Sequence, residues 1–258
     1  MVCVCHFFIF GGFEKNMIMQ KKHATMLLEQ IQRGKAQRLK QEADAGLSSR
    51  MPLLRKWQSD RLSATYEDLL ADKRYRPATA FFLSDLYGPS DFSQRDDDIE
   101  HLFSTLVRVL PDYLIHTAAY AAELNALSAE LDFALLYVLV KELNITETIT
   151  QEAYAEAYRR CNNYGPRRHQ IELLKMLGED LDAIVFKPLV YNTVRMLKIP
   201  ALLAGFSALQ DFLERGFKAF HHMQGADEFI GTISGRETQI LDRIYASRPR
   251  PFDWDEDQ

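Results

Sequence analysis

Apolar residues recur at three- and four-residue intervals along most of this chain, and no stretch alternates apolar and polar as a half-buried strand requires. Glycine and proline are scarce, at 12 and 9 residues. Long runs therefore lack the turn punctuation that an all-β or α/β chain needs. The pattern predicts an all-α fold, an irregular multi-helix bundle of about eight to ten helices.

The elements can be placed by their breakers and caps. Residues 20–40 are helix-forming but carry only a thin apolar stripe, which predicts an exposed, loosely attached leading helix. Ala45-Gly46-Leu47-Ser48-Ser49 interrupts it. Pro52 suits a first helical turn and opens a helix to about Asp72. A short helix or turn follows Arg74-Tyr75-Arg76-Pro77 and ends at Gly88-Pro89. Ser93 to Asp96 has capping-box spacing, and Asp96, Asp97 and Asp98 then fall in a first turn, where negative charge is favoured. Pro111 opens a long helix to about Asn144, and a further helix covers Gln151 to Arg160. Another runs from about Arg167 to Val185, with Gly178 a candidate break. From Ala201 to Met223, Leu202, Phe206, Leu209, Leu213, Phe220 and Met223 form a stripe that includes Gly216, where a neighbouring helix can approach closely. Gly225 stops that helix. Ser234 to Glu237 repeats the capping-box spacing and starts, or restarts, a final helix to about Tyr245. The organisation expected is an apolar extension over 1–19, a polar helix and linker over 20–50, one helical domain over 51–246, and a frayed tail over 247–258. Met17 or Met19 is an alternative start of translation.

Composition narrows the function classes. A hydrophobic share of 47% with 26% charged residues is that of a soluble globule with material for a sizeable core. A net charge of −5 and a pI near 5.8 argue against a protein built to hold nucleic acid. The three cysteines, Cys3, Cys5 and Cys161, make neither a disulfide framework nor a zinc pattern and fit a reducing, cytoplasmic setting. The apolar runs are too short to span a bilayer.

The densest chemistry lies between Phe81 and Asp98. Asp85, Tyr87, Asp91 and Arg95, joined by Arg236, are candidates for binding a small polar ligand, since carboxylates and guanidinium groups fix polar molecules directionally. The structural alternative is a turn anchored by Phe81, Phe82 and Leu86, with Asp85 or Asp91 capping a backbone end. Arg236 and Glu237 form either a capping pair, the favoured reading, or an interior ion pair. His116 with Glu123, and Glu214 with His221, each return to nearly the same helix face after seven residues. Their ligand types match those of di-metal bundles, although the usual Glu-x-x-His pair is missing. Arg159, Arg160, Arg167, Arg168 and His169 cluster about a helix junction. Arg159 and Arg160 suit a helix C-terminus, which leaves Arg167 and Arg168 as candidates for an anionic ligand. Cys161 reads as an inert thiol. No phosphate loop, nucleophile elbow or zincin motif occurs.

The stretch from Trp57-Gln58-Ser59 through Tyr66-Glu67-Asp68-Leu69-Leu70, then Phe81 to Asp98, resembles an uncharacterised bacterial family marked by an FFLSDLYG-type segment. Phe212 to Phe217, Gly225-Ala226 and Arg236-Glu237 share the likeness. The resemblance implies a helical, bacterial, cytoplasmic protein and no activity. Two functions therefore stand. One is a binding or regulatory module without a cofactor, using the Phe81–Asp98 segment on a small ligand, a protein partner or a second copy in a homodimer. The other is a helical-bundle oxidase or oxygenase with a di-metal or haem centre.

Overall fold

A computed structural model describes residues 5–86, 103–104, 107–108, 110–187, 190 and 207–253; side chains are described within 22–85, 103–104, 107–108, 110–187, 190 and 210–253. The described residues are all-α, without strands, and the helix count falls in the expected range.

Helix α1 (Cys5–Ala43) lies along the long helix α6 (Asp112–Tyr137). It is not the loosely attached arm that its thin stripe predicts. Leu27 is fully buried against Ile115 and Ala119, and a Cβ placed on Gly34 would meet that of Ala126 at 3.8 Å. Small residues on α6 let the two backbones approach, so few large apolar side chains are needed. Asp44 then caps the four-residue α2 (Ala45–Ser48) by accepting from the Leu47 N–H at 2.9 Å.

Helix α3 (Met51–Thr65) carries Pro52 in its first turn as expected. It does not continue to Asp72 unbroken. Tyr66, completely buried, leaves helical geometry, and the short α4 (Glu67–Ala71) follows. The chain turns into α5 (Arg76–Phe81), which passes directly into a π turn over Phe82–Leu86. Helix α6 is continuous through Asn125 and ends in a second π turn, Val138–Glu142, before Asn144 at φ 57°. Thr150 caps α7 (Gln151–Arg160).

Helix α8 (Tyr164–Val185) passes Gly178 unbroken, and the reason is packing. A Cβ there would stand 2.7 Å from the Ile230 side chain, so the missing side chain brings α10 (Asp227–Tyr245) against α8. Helix α9 (Ser207–Met223) packs on α5, and Gly216 does what its place in the stripe predicts. It admits the Phe81 ring, which would lie 2.9 Å from an added Cβ. Gly225, at φ 117°, ends α9 in a conformation that L side chains rarely adopt.

Two expectations at the C-terminal end are corrected. Helix α10 starts at Asp227 and continues through Ser234, whose hydroxyl donates to the Gly231 carbonyl instead of capping a helix. The tail is not frayed through Asp253. Phe252 is buried edge-on against Trp57 and Tyr154, and Arg243 donates to the Asp253 carbonyl.

Two large apolar clusters result, beside smaller ones that include Leu27 with Ile115 and Leu127 with Leu173. One gathers Tyr66, Phe81, Phe82, Phe217, Met223 and Phe229, and the other Leu54, Leu135, Leu139, Tyr154, Ile244 and Phe252. Helix α10 contributes to both, with Ile230 and Ile233 in the first and Ile240 and Ile244 in the second.

Candidate functional site

The described start of the Phe81–Asp98 segment is firmly seated. Phe81 fills the space above Gly216, and Phe82 meets Tyr66 edge-on at 5.9 Å. Asp85 is buried at 6% exposure, and its carboxylate accepts from the Ser84 hydroxyl at 2.7 Å and from the Arg215 guanidinium of α9. Arg215 itself is 62% exposed and covers the carboxylate from outside. Tyr87, Asp91 and Arg95 lie outside the described residues.

Arg236, grouped with them in the sequence reading, is buried in α10. It makes a two-pronged contact with Asp68 at 2.7 and 2.6 Å and donates to the Thr65 carbonyl at 2.8 Å. The hydrogen bond from Arg236 holds the Asp68 carboxyl below its usual range. Glu237 turns to Arg61 on α3 and accepts from the Tyr66 hydroxyl at 2.7 Å. Glu237 therefore makes an interior ion pair, and Arg236 joins a buried guanidinium to an exposed carboxylate, so the favoured capping reading fails. Their carboxylate and cation partners sit on α3 and α4, at the break made by Tyr66.

The four residues considered for a metal meet other groups. His116 packs on His23 and Tyr120, with ring centroids at 4.4 and 4.3 Å. Glu123 contacts the His169 ring nitrogen at 2.8 Å. Glu214 pairs with Lys218 at 2.6 Å, and the His221 ring lies 5.6 Å from that of Phe186. Among the described residues no group of three or more His, Cys, Asp or Glu side chains is placed to hold a metal ion.

The basic cluster also divides. Arg159 and Arg160 both bind Glu156, one turn back. Arg168 is exposed and faces Glu172 at 3.5 Å. Arg167 points inward, only 4% exposed. Its guanidinium donates to the Leu131 carbonyl and to Gln170, lies 4.6 Å from the Tyr158 ring centroid, and faces Asp132 at 3.6 Å.

Arg167 opens onto a feature that the sequence reading missed. Between the two apolar clusters a cavity of about 50 Å³ is lined by Arg61, Arg167, Asp132, Glu237, Tyr154, Tyr158, Gln58, Gln170 and apolar residues that include Phe82 and Phe252. Gln58 donates to Asp132 at 2.9 Å and contacts the Tyr154 hydroxyl at 3.4 Å. Tyr154 stacks on Trp57 at 3.9 Å. Burial pushes the Tyr154 and Tyr158 phenols well up, against the pull of Arg167 and Arg61, and both stay protonated at neutral pH. Burial opposes the charge on Arg61 and Arg167, while the Glu237 carboxylate beside the first and the Asp132 carboxylate beside the second favour it. Both remain cations. The available signal was the four-residue spacing of Tyr154 and Tyr158, and an arginine, Arg61, directly before the core residue Leu62.

Comparison with known proteins places the chain in a family. The model of the family described as a domain of unknown function (DUF8198) matches residues 37–251, most of the chain, so this protein belongs to that family. No curated protein and no solved structure gives a match. Among the described residues no helix is long and apolar enough to cross a membrane.

Proposed function

We propose that the chain is a binding or regulatory module that uses the Phe81–Asp98 segment for recognition, with a second copy of itself as partner. The observation that carries this reading is the seating of Asp85. A buried carboxylate at the entrance of the segment is held from outside by the exposed Arg215. A π turn sits at the same place, and such turns are frequent at functional sites. Beyond Asp85 the segment carries both signs of charge, Arg95 against Asp91 and Asp96 to Asp98. A two-fold interface must complement itself, and a segment of mixed charge has the composition for that. Cys161, half-buried with its thiol pushed up by burial, fits a reducing cytoplasm.

Sedimentation velocity tests the reading. The wild-type chain is expected to be dimeric, and Tyr87→Ala to shift it to monomer while the helical circular dichroism signal is kept. A wild-type chain that stays monomeric across the concentration range, or a Tyr87→Ala dimer of unchanged affinity, overturns the assignment.

A further inference from the structure

We propose that the segment after α10, residues 246–253, is a lid on the cavity between the two large apolar clusters, with the Phe252 ring as its plug, and that it opens while the helices stay folded. The lid is separate from recognition through the Phe81–Asp98 segment and does not depend on it.

The plug comes first. The α-helices and the π turn that carries Phe82 supply every lining residue of the cavity except Phe252. Its ring is 6% exposed and stands edge-on to Trp57 at 5.4 Å and to Tyr154 at 5.7 Å. Pro251 is buried beside it. One aromatic ring thus bridges α3 and α7 at the cavity wall.

The tether of that ring is slight. Arg243 donates to the Asp253 carbonyl at 2.8 Å, and the Asp253 N–H reaches the Arg250 carbonyl at 3.2 Å. The Arg250–Asp253 ion pair, at 3.4 Å, has side chains 79% and 41% exposed, where such pairs contribute little. Ser247 and Arg250 sit at φ 53° and 47°, a left-handed conformation that is costly for a residue with a side chain. That strain is released when the segment swings away.

The cavity supplies a second opposing force. Arg61 with Glu237 and Arg167 with Asp132 line it, and burial opposes the charge on both guanidinium groups. Opening readmits water to these pairs and lowers the cost of keeping them charged. One buried ring and one proline are therefore set against hydration of two ion pairs and relief of backbone strain. Segments with few buried contacts and exposed backbone bonds open ahead of the whole fold.

Thiol labelling tests this on the full chain. Ile240→Cys places a thiol in the cavity lining, at a position 3% exposed, in a chain that also carries Cys3→Ala, Cys5→Ala and Cys161→Ala. Methyl methanethiosulfonate is the probe. Labelling is expected at a rate that urea below the unfolding transition hardly changes, because lifting the lid exposes little surface. Phe252→Ala should raise that rate about tenfold or more, with the same shallow urea dependence. A rate that climbs with urea as steeply as global unfolding overturns the proposal, and so does a rate that Phe252→Ala leaves unchanged. If the Ile240→Cys chain does not fold, chymotrypsin is applied to the wild-type chain instead. Release of the peptide 253–258 before the helices unfold supports the lid, since the protease must draw Phe252 out of its seat. Cleavage after Phe252 only in step with global unfolding overturns it.

Discussion

Two regions of this molecule hold arginine against carboxylate and do so under opposite conditions. Along the α1–α6 seam, Arg33 reaches Glu130 with both side chains about one-third exposed. Around the central cavity, Arg61 reaches Glu237 with 14% and 17% of the side chains exposed, and the almost fully buried Arg167 faces Asp132. The residue types are the same. The seam pair is partly open to water, which screens its attraction, and two long side chains must be ordered to make it. The central pairs have lost their hydration, so each charge depends on its partner and on the hydroxyl and amide groups beside it. The seam can lose a partner and stay helical, while the centre cannot lose one without leaving a bare charge in the core.

The largest effect should come from Glu237→Ala. It strands the Arg61 guanidinium and removes the nearer acceptor of the buried Tyr66 hydroxyl, leaving the Ile233 carbonyl at 3.5 Å, and a loss of about 3–5 kcal/mol is expected in urea unfolding. The double variant Arg61→Met with Glu237→Leu sharpens the point. It removes both charges together and should recover most of that loss, because an apolar pair of similar volume often matches a buried ion pair. A double variant as unstable as the single one would mean that hydrogen bonding of Tyr66, not stranded charge, dominates.

Next comes Gly216→Val, which forces methyl groups into the space of the Phe81 ring and should cost about 1–3 kcal/mol. A double-mutant cycle with Glu237→Ala measures how far the two sites couple through Phe82 and Tyr66.

Titration separates the regions further. The Asp68 carboxyl is held low in the folded chain, so its contribution is present above the unfolded value and is lost as pH falls through the folded one. Asp68 is 43% exposed, so the loss should be small, well under 1 kcal/mol after screening. Asp68→Asn should flatten that part of the acid limb. The Tyr154 and Tyr158 phenols move the other way. Their folded values are raised, so they favour the native state below the ordinary phenol value and withdraw that support as pH rises past it. Ultraviolet titration should find two tyrosines that ionise only when the chain unfolds.

The smallest effect is expected on the seam. Arg33→Ala should cost about 0.2–1 kcal/mol, and less in high salt. A loss as large as that of Glu237→Ala would break the comparison, since it would show the seam pair to be as dependent on its partner as the central one.

The sequence by itself determined the helical class, most helix ends and the close approach at Gly216. Those follow from local rules: apolar spacing, Pro52 in a first turn, Gly225 in a conformation closed to other residues. It also marked Asp85 as unusual, because a carboxylate amid Phe81, Phe82 and Leu83 has few ways to be buried. The partners were another matter. Arg215 for Asp85, Asp68 for Arg236 and Arg61 for Glu237 are separated by 130, 168 and 176 positions. No spacing rule links such residues, so Ser234–Glu237 resembled a helix start when its charged members were bound for α3 and α4. Packing also reversed the reading of Gly178, which admits a neighbour instead of ending a helix. The tertiary structure alone decided which charges lost their water, because burial belongs to the whole assembly of helices and to no segment of it.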